Sequence, residues 1–598
     1  MKKKFQKTGK TADRKNSRAF KRSAAERDSG FASDSRQCMG SRENDPNWYA
    51  LNPQLLKDSA SFPYAWPLGN RLNVGEYGAD LNKGSLPGIM AMNWIPTFGN
   101  ALDATSPINV ASVNVYTKVR HDNSGHANYD HADYMLYLMA MDSVYAFHAW
   151  MRRAYGVALT YSNVNRYFPR AAVEAMGVSF GDIQKHLADF RQYINLYAVK
   201  ASALAIPASM SIMTKHYWMS EGMYFDSNQD KPQTYIFNPL GFYKFVLDGT
   251  PAVGGLEFVP LFGDITNDQG VDTPNDPIAG PLTFKQIMEY GDALLAPIIA
   301  DEDFGIMSGD TLKSFGVGGC YTLPATEETY TVVPSYVPEV LDQIQNATFI
   351  GLPNLETLKV TQDTDIGPGG LRTHPKFVHP WVWAPNSAEL PGQNAFLVDR
   401  FVTFEHGNID PSNTMEATRW TNIGVQVTED GTRDYYVPTL GTEVMCTGRI
   451  YYFAEINQEF QIYASEPIYV SMNYDLMWSD KGNAFSLETA EGIRSTFANL
   501  LTTYSENMRP MNRLIQQIGV FDRHPAIYVT GFCGSNAQLA FYPQNTSSSV
   551  KIRLNVASYA PLNGVLFDVN YYTILSSSDL EEMSHIALLS EFDVTSRK

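Results

Sequence analysis

The apolar positions of this 598-residue chain change texture along its length. From Tyr134 to Trp150 nearly every position is apolar, interrupted only by Asp142, Ser143 and His148. Asp130 or Asp133 can cap a helix that runs to about Tyr155, with Arg152 and Arg153 in its last turn and Gly156 just after. Acid at the start, base at the end and glycine beyond agree with helix termini and the macrodipole. Apolar residues on nearly all sides predict a helix buried all round. The run is shorter than the about 20 apolar residues a membrane span wants. A second helix is predicted from Ser179, whose Ser179-x-x-Asp182 spacing suits a capping box. It continues along the stripe Ile183, Leu187, Phe190, Ile194, Tyr197 and Ala201 and stops before Pro207. Further helices are predicted at 208–220 and at 284–295, ending near Pro297.

Residues 225–280 read as loops and short strands. From 305 to 480, β-branched and aromatic runs dominate: Tyr330–Val333, Phe396–Phe404, Arg449–Ile456, Phe460–Tyr463 and Ile468–Met472. Turn signals such as Gly367-Pro368-Gly369-Gly370 and Glu429-Asp430-Gly431 separate them. Helices return at about 487–506 and 510–518, split by Pro510, and the stretch 526–575 is again strand-like. Residues 43–110, with many Asn, Pro and Gly, read as an extended, irregular segment lying on the body. No internal repeat or heptad run is present. The class is α+β: a helix-rich portion over 43–300, a strand-rich portion over 301–485, and helices and strands over 486–598.

Residues 1–42 have no apolar periodicity, and charge explains why. They carry 13 Lys and Arg against 4 Asp and Glu, a net of +9, while the other 556 residues carry 33 against 59, a net of −26. Such an arm cannot bury enough to offset the entropy of ordering and is expected to be disordered alone. Its cations are Lys2, Lys3, Lys4, Lys7, Lys10, Arg14, Lys15, Arg18, Lys21, Arg22, Arg27, Arg36 and Arg42. Lys and Arg that contact phosphates release counterions, giving sequence-independent, salt-sensitive affinity, and arginine-rich segments commonly order on RNA. The spacing also suits one basic helix face with Phe5 and Phe20 beside it, so membrane contact is an alternative. A plain solubilising tail is another.

The body is poor in charge, at about 17% against roughly 25% for ordinary soluble domains, and rich in Tyr, Phe and Trp (34, 32 and 9 in the whole chain). Interface cores share that composition, so it leans toward a body with much surface buried in an assembly. Cys38, Cys320, Cys446 and Cys533 are far apart and form neither a disulfide framework nor a zinc knuckle. No apolar stretch follows the basic N-terminus to make a signal peptide.

The densest set of ligand-type side chains is His121, His126 and His131 with Asp122, Asp130 and Asp133. A spacing of five fits no common zinc pattern and puts no two of these histidines on one helix face. A turn feeding a helix explains the segment as well; a metal-dependent enzyme centred on the three histidines is the alternative. Gly316-Val317-Gly318-Gly319 lacks the Lys-Ser/Thr pair of a phosphate loop, and no GxSxG or HExxH occurs. The acidic run Asp301-Glu302-Asp303 has no evident catalytic partner. No catalytic residue, cofactor or small-molecule substrate is assigned.

One stretch is distinctive. Leu86-Pro87-Gly88-Ile89-Met90-Ala91-Met92-Asn93-Trp94-Ile95-Pro96-Thr97 resembles a segment of picobirnavirus capsid proteins. So does the block from Ile108 through Val119-Arg120-His121-Asp122-Asn123-Ser124-Gly125-His126-Ala127-Asn128-Tyr129-Asp130. The likeness continues through Met135-Leu136-Tyr137-Leu138-Met139-Ala140-Met141-Asp142-Ser143 and Arg153-Ala154-Tyr155-Gly156. Leu187-Ala188-Asp189-Phe190-Arg191 and Pro239–Phe245 add to it, and it covers about residues 85–245. The resemblance implies a structural protein that builds an icosahedral T=1 shell from homodimers around double-stranded, segmented RNA. It also implies a helix-rich shell portion, a protruding portion at the dimer tops and a basic arm facing the RNA. The virion, assembled in the host cytoplasm, is the implied location. Some members cleave themselves near the N-terminus and free a peptide that disturbs membranes; no scissile bond is located here.

Overall fold

The computed structural model describes most of residues 88–464, apart from 378–400 and several short loops, together with 51–55, 468, 521–525, 570–594 and short strands between 527 and 566. The elements discussed below belong to one compact unit, Tyr64–Lys598. In chain order they begin with strand β1 (Ile89–Pro96), then helices α1 (Pro107–Asp122), α2 (His131–Ala158), α3 (Phe168–Ala175), α4 (Phe180–Lys185), α5 (Leu187–Ala201) and α6 (Ser211–Glu221). Strands β2 (Met223–Phe225), β3 (Thr234–Pro239), β4 (Gly241–Asp248) and β5 (Val253–Pro260) follow, then α7 (Phe284–Ala300) and α8 (Glu302–Phe315). Next come β6 (Ser335–Tyr336), α9 (Pro338–Gln345), β7 (Lys359–Gln362), β8 (Leu371–Arg372), β9 (Phe401–Phe404) and α10 (Pro411–Ala417). Long β10 (Glu443–Ile456), β11 (Glu459–Ala464), β12 (Tyr571–Ile574) and α11 (Ser577–Glu591) complete the set. The α+β class holds.

The α2 helix is the axis of the body. Asp130 caps it, accepting from the Ala132 and Asp133 N–H groups in a full capping box with Asp133. Its 28 residues span about 42 Å, and every position from 134 to 157 is buried. Each large side chain so buried contributes about 2 kcal/mol. Gly156 lies inside the helix rather than beyond it. A Cβ there would stand 2.8 Å from both Tyr330 Cε1 and Val332 Cγ2, so close packing, not a C-cap, explains the glycine.

The principal sheet has the order β11-β10-β1-β3-β2-β6. β1 pairs antiparallel with β10, Ile89 opposite Tyr451 and Pro96 opposite Glu443, with a register shift between Asn93 and Trp94. On its other edge it runs parallel to β3, Ile89 opposite Thr234. Because both faces are covered, all eight residues of β1 are buried. Ile89, Ala91 and Ile95 enter the large core built around α2. Met90, Met92 and Trp94 enter a second core with Val340, Leu341 and Ile344 of α9, Phe349 and Trp420. The second sheet, β8-β7-β5-β4, packs on α2 through β4, where the Tyr243 N–H donates to Ser143 Oγ at 3.1 Å.

Several expectations need correction. Residues 89–96 and 107–122 are a central strand and a helix, not an irregular covering; a short apolar run without alternation hides a strand buried on two faces. The helix expected from Ser179 onward breaks at His186 into α4 and α5. Asp182 accepts the Phe284 N–H at 2.7 Å instead of closing a capping box, and Ser179 makes no side-chain cap bond. The α7 helix continues through Pro297 to Ala300 because its buried stripe includes Leu294, Leu295 and Ile298; the lost N–H bond is outweighed. Residues 330–333 form no strand, and α8, α9 and α10 interrupt the strand-rich stretch. The run Phe396–Phe404 contains the observed strand 401–404, while the runs Arg449–Ile456 and Phe460–Tyr463 lie within the longer observed strands 443–456 and 459–464. Residues 577–591, not predicted as a helix, form α11. The helices expected at 487–506 and 510–518 lie outside the described residues.

Arg153, fully buried near the end of α2, ties three segments together. Its guanidinium donates to the carbonyls of Met219 and Gly222, both at 3.1 Å, and of Phe237 at 2.7 Å. Burial pushes its pKa down to about 9, which still leaves it charged at neutral pH. Arg153→Met would strand those carbonyls in the core. The expected loss is about 3 kcal/mol of subunit stability, measured by urea unfolding; an unchanged midpoint would contradict the role.

Candidate functional site

The predicted site residues fall in different places. The arm cations Lys2, Lys3, Lys4, Lys7, Lys10, Arg14, Lys15, Arg18, Lys21, Arg22 and Arg27, with Arg36 and Arg42, lie outside the described residues. So does His126. His121 is 86% exposed and its Nδ1 faces its neighbour Asp122 at 2.9 Å. His131 Nδ1 faces Ser112 Oγ at 2.6 Å, in the first turn of α2. Among the described residues no group of three or more His, Cys, Asp or Glu side chains could hold a metal ion. The other two sequence suspects have structural roles: Asp301 caps α8 with Glu302 and Asp303 in its first turn, and Gly316 ends α8 at φ 71°.

The chemistry-bearing cluster is elsewhere, where α2, α6, β10 and α11 meet. His216 of α6 stands between two acids. Its Nδ1 lies 2.6 Å from Asp142 Oδ2 on α2, and its Nε2 lies 3.1 Å from Glu443 Oε1, the first residue of β10. Nδ1 thus donates to the Asp142 carboxylate and Nε2 to the Thr442 carbonyl at 3.2 Å with Glu443 Oε1 alongside, so both nitrogens carry a proton and the ring is an imidazolium. Lys215 Nζ, on the same helix, reaches Glu443 Oε2 at 2.7 Å and Glu591 Oε1 at 2.9 Å, the latter on the last residue of α11. The Thr442 hydroxyl sits between the Glu443 and Glu591 carboxylates, 2.7 Å from Glu443 Oε1. Trp420 Nε1 donates to Glu443 Oε2 at 3.3 Å, and the Trp94 ring lies beside His216 with centroids 5.3 Å apart.

Burial and partners pull the charges in opposite directions. Burial opposes the positive charge on His216, but Asp142 and Glu443 outweigh it and raise its pKa to about 10. Burial would likewise raise Glu443, yet Lys215 and His216 hold its carboxyl well below the usual range. Lys215 is raised because the same two glutamates overcome its desolvation. His148 is the contrast. It too is buried, but its neighbour is Arg152 rather than an acid, and burial pushes it down to about 3, leaving it neutral. A partner, not burial, decides which buried histidine carries charge.

The cluster orders the C-terminal helix. Ser576 caps α11 through a capping box with Asp579, and Leu580, Ser584, Ala587 and Leu588 form its buried stripe. Leu588 fits against Gly99, where a Cβ would lie 2.8 Å from Leu588 Cδ1; Gly99 also has φ 75°. Glu591 sits at the negative end of the helix dipole, the wrong place for an acid, and Lys215 offsets that cost. Asp142, His216 and Glu443 are at most 1% exposed, so no substrate reaches them. The arrangement stores charge and fixes position; it does not present a nucleophile with its base. A cavity of about 400 Å³, lined by residues such as Phe262, Gln286, Glu289 and Tyr290, contains none of these groups.

The sequence held a signal for this cluster. Asp142 and His148 interrupt a run that must be buried, and Lys215-His216 interrupts another apolar helix. A buried charge needs a partner, but a single chain of letters does not say that the partners are Glu443 and Glu591.

Removing the imidazole by His216→Ala leaves Asp142 and Glu443 facing each other and is expected to cost about 4 kcal/mol. The pH dependence has a definite sign. His216 is raised in the folded state, so its contribution is complete below about 6.5, its ordinary pKa, and is lost as pH rises through about 10. Unfolding midpoints measured between pH 6 and 10 should fall for the parent chain and fall less steeply for His216→Ala. Parallel curves would contradict the assignment.

Comparison with known proteins agrees with this reading of a closed structural body. The family model of the picobirnavirus capsid protein matches residues 48–543. The capsid protein precursor of Human picobirnavirus (strain Human/Thailand/Hy005102/-) is 30% identical over 621 aligned positions, covering 98% of each chain. A crystal structure of the picobirnavirus capsid shares the fold, with a TM-score of 0.66 at 18% identity over 92% of this chain and 98% of that one. With residues 48–543 matched by the family model and a capsid protein precursor 30% identical across nearly the whole length of both chains, the chain belongs to the picobirnavirus capsid protein family.

Proposed function

We propose that this capsid protein assembles as homodimers into a T=1 icosahedral shell around double-stranded RNA, in the host cytoplasm, with residues 1–42 against the RNA. The observation that carries the reading is the division of charge: +9 in the first 42 residues and −26 in the rest. A wall of net negative charge repels packed RNA, and a cationic arm can bridge the gap. The charge-poor, aromatic-rich body suits surfaces that copies bury against one another.

The helix-rich residues 43–300 are the proposed shell portion, with 486–598 returning to it. The stretch 301–485 is the proposed source of the part that projects, although its strands β6, β10 and β11 belong to the central sheet. Processing near the N-terminus belongs to the same reading, since the human virus relative is named a precursor. The protein acts as a structural unit, not a catalyst of another molecule's chemistry.

Expression of the full chain should yield closed particles in negative-stain micrographs. A small monomer that stays monodisperse at high concentration across pH and salt would overturn the assembly. If about six arm cations engage single-stranded RNA, a peptide of residues 1–42 should bind with a log K against log salt slope of about −4. A salt-independent affinity would contradict charge neutralisation as the mode.

A further inference from the structure

The α5 helix buries one apolar face and leaves two large apolar side chains, Leu196 and Val199, exposed on the other side. Phe190, Tyr193, Ile194, Tyr197, Ala198 and Ala201 are buried against the body. On the opposite side Gln192, Leu196 and Val199 follow at i, i+4 and i+7, a seam on one helix face, with Leu196 49% and Val199 70% exposed. Alongside, α7 runs parallel. The Phe284 ring lies against His186 and Phe190, and the Tyr193 hydroxyl donates to the Met288 carbonyl at 2.9 Å. Its outer positions Ala293, Ala296 and Ile299 are exposed as well, which extends the apolar surface. Single exposed apolar residues are ordinary, but contiguous ones on neighbouring helices mark an interaction site.

The ends of the seam identify the occupant. Asp189 is in the first turn of α5 and Lys200 in the last, about 16 Å apart along the axis. Their present partners are loose and solvent-exposed: His186 lies 3.7 Å from Asp189, and Asp292 lies 3.7 Å from Lys200. Such pairs contribute little and can exchange. A helix face with an acid near one end, a base at the other and Gln192, Leu196 and Val199 between is complementary to an antiparallel copy of itself. Two-fold contacts require that self-complementarity, and antiparallel helices also oppose their dipoles.

We propose that the outer face of α5 is a self-association surface, where two copies pack antiparallel across a two-fold axis beside Leu196 and each Asp189 faces the Lys200 of the other copy. This rests on the reading that the chain assembles. Two helices side by side offer a face of roughly 450 Å² per copy, below the about 800 Å² per partner of a stable standard interface. The contact is therefore one of several that hold a closed wall, not a free-standing dimer.

Cross-linking and charge exchange in the full chain test this. Particles of Leu196→Cys, mildly oxidised, should give a disulfide-linked dimer on non-reducing gels, while wild type and the control Val317→Cys, exposed elsewhere at 77%, do not. Intact particles without the link overturn the proposal. So does a link from position 196 to Cys38, identified by mass spectrometry, since the arm would then cover the face. Asp189→Lys and Lys200→Asp should each lower particle yield at least tenfold, and the double variant should restore it to within about twofold. A double variant no better than the singles overturns the antiparallel pairing. If wild type forms no particles, the assembly reading and this contact fall together; normal assembly of every variant sinks the contact alone.

Discussion

Three acids and two bases are sealed where α2, α6, β10 and α11 meet, and the subunit depends on their balance. Asp142, Lys215, His216, Glu443 and Glu591 come from four elements and lie far apart in the chain. Neither the acids nor the bases could be buried alone, because an unpaired buried charge costs several kcal/mol. The site closes only when the central helix, the long strand and the C-terminal helix are all in place. The field of Glu591 and Glu443 also favours the charge on Arg419, although burial leaves that guanidinium below its ordinary pKa. With that third cation the local charges balance. A cluster of this kind adds less stability than well-packed apolar residues could. It selects one arrangement of distant segments, which suits a protein that must present the same surface to every neighbouring copy.

The same logic of charge operates at two scales. Inside the body, buried charges are met by opposite charges or by oriented dipoles: Arg152 lies 2.5 Å from Glu221 Oε1 and stacks on the Tyr330 ring at 4.3 Å, and Arg153 uses three carbonyls. Across the whole chain, the excess of each sign is segregated, base in the first 42 residues and acid in the rest. Local pairing fixes the subunit's distant segments, while the segregation of net charge is a property of the chain as a whole.

Legibility in the sequence followed physical locality. The α2 helix is readable because its cap and its apolar run are contiguous, and Asp130 does cap it; its end is not, since the helix runs past Arg152, Arg153 and Gly156 to Ala158. The strand 401–404, the second half of 443–456 and the middle of 459–464 coincide with apolar, β-branched runs. What could not be read depends on long-range contacts. The β1 strand looks irregular because its residues serve two cores at once, Ile89 and Ala91 in one, Met90 and Met92 in the other. The α4–α5 break exists because Asp182 is recruited by Phe284, about a hundred positions on. The histidine-rich turn drew attention by density, yet the histidine with the chemistry is His216, isolated in sequence and surrounded in space.

The central claim is that assembly resides in the body and nucleic-acid neutralisation in the arm. The most direct test is expression of residues 43–598, with particles examined by negative-stain microscopy and their nucleic-acid content read from the ratio of absorbance at 260 and 280 nm. The division of labour predicts closed shells, nearly empty of RNA. Failure to form shells, or shells holding as much RNA as those of the full chain, would contradict it.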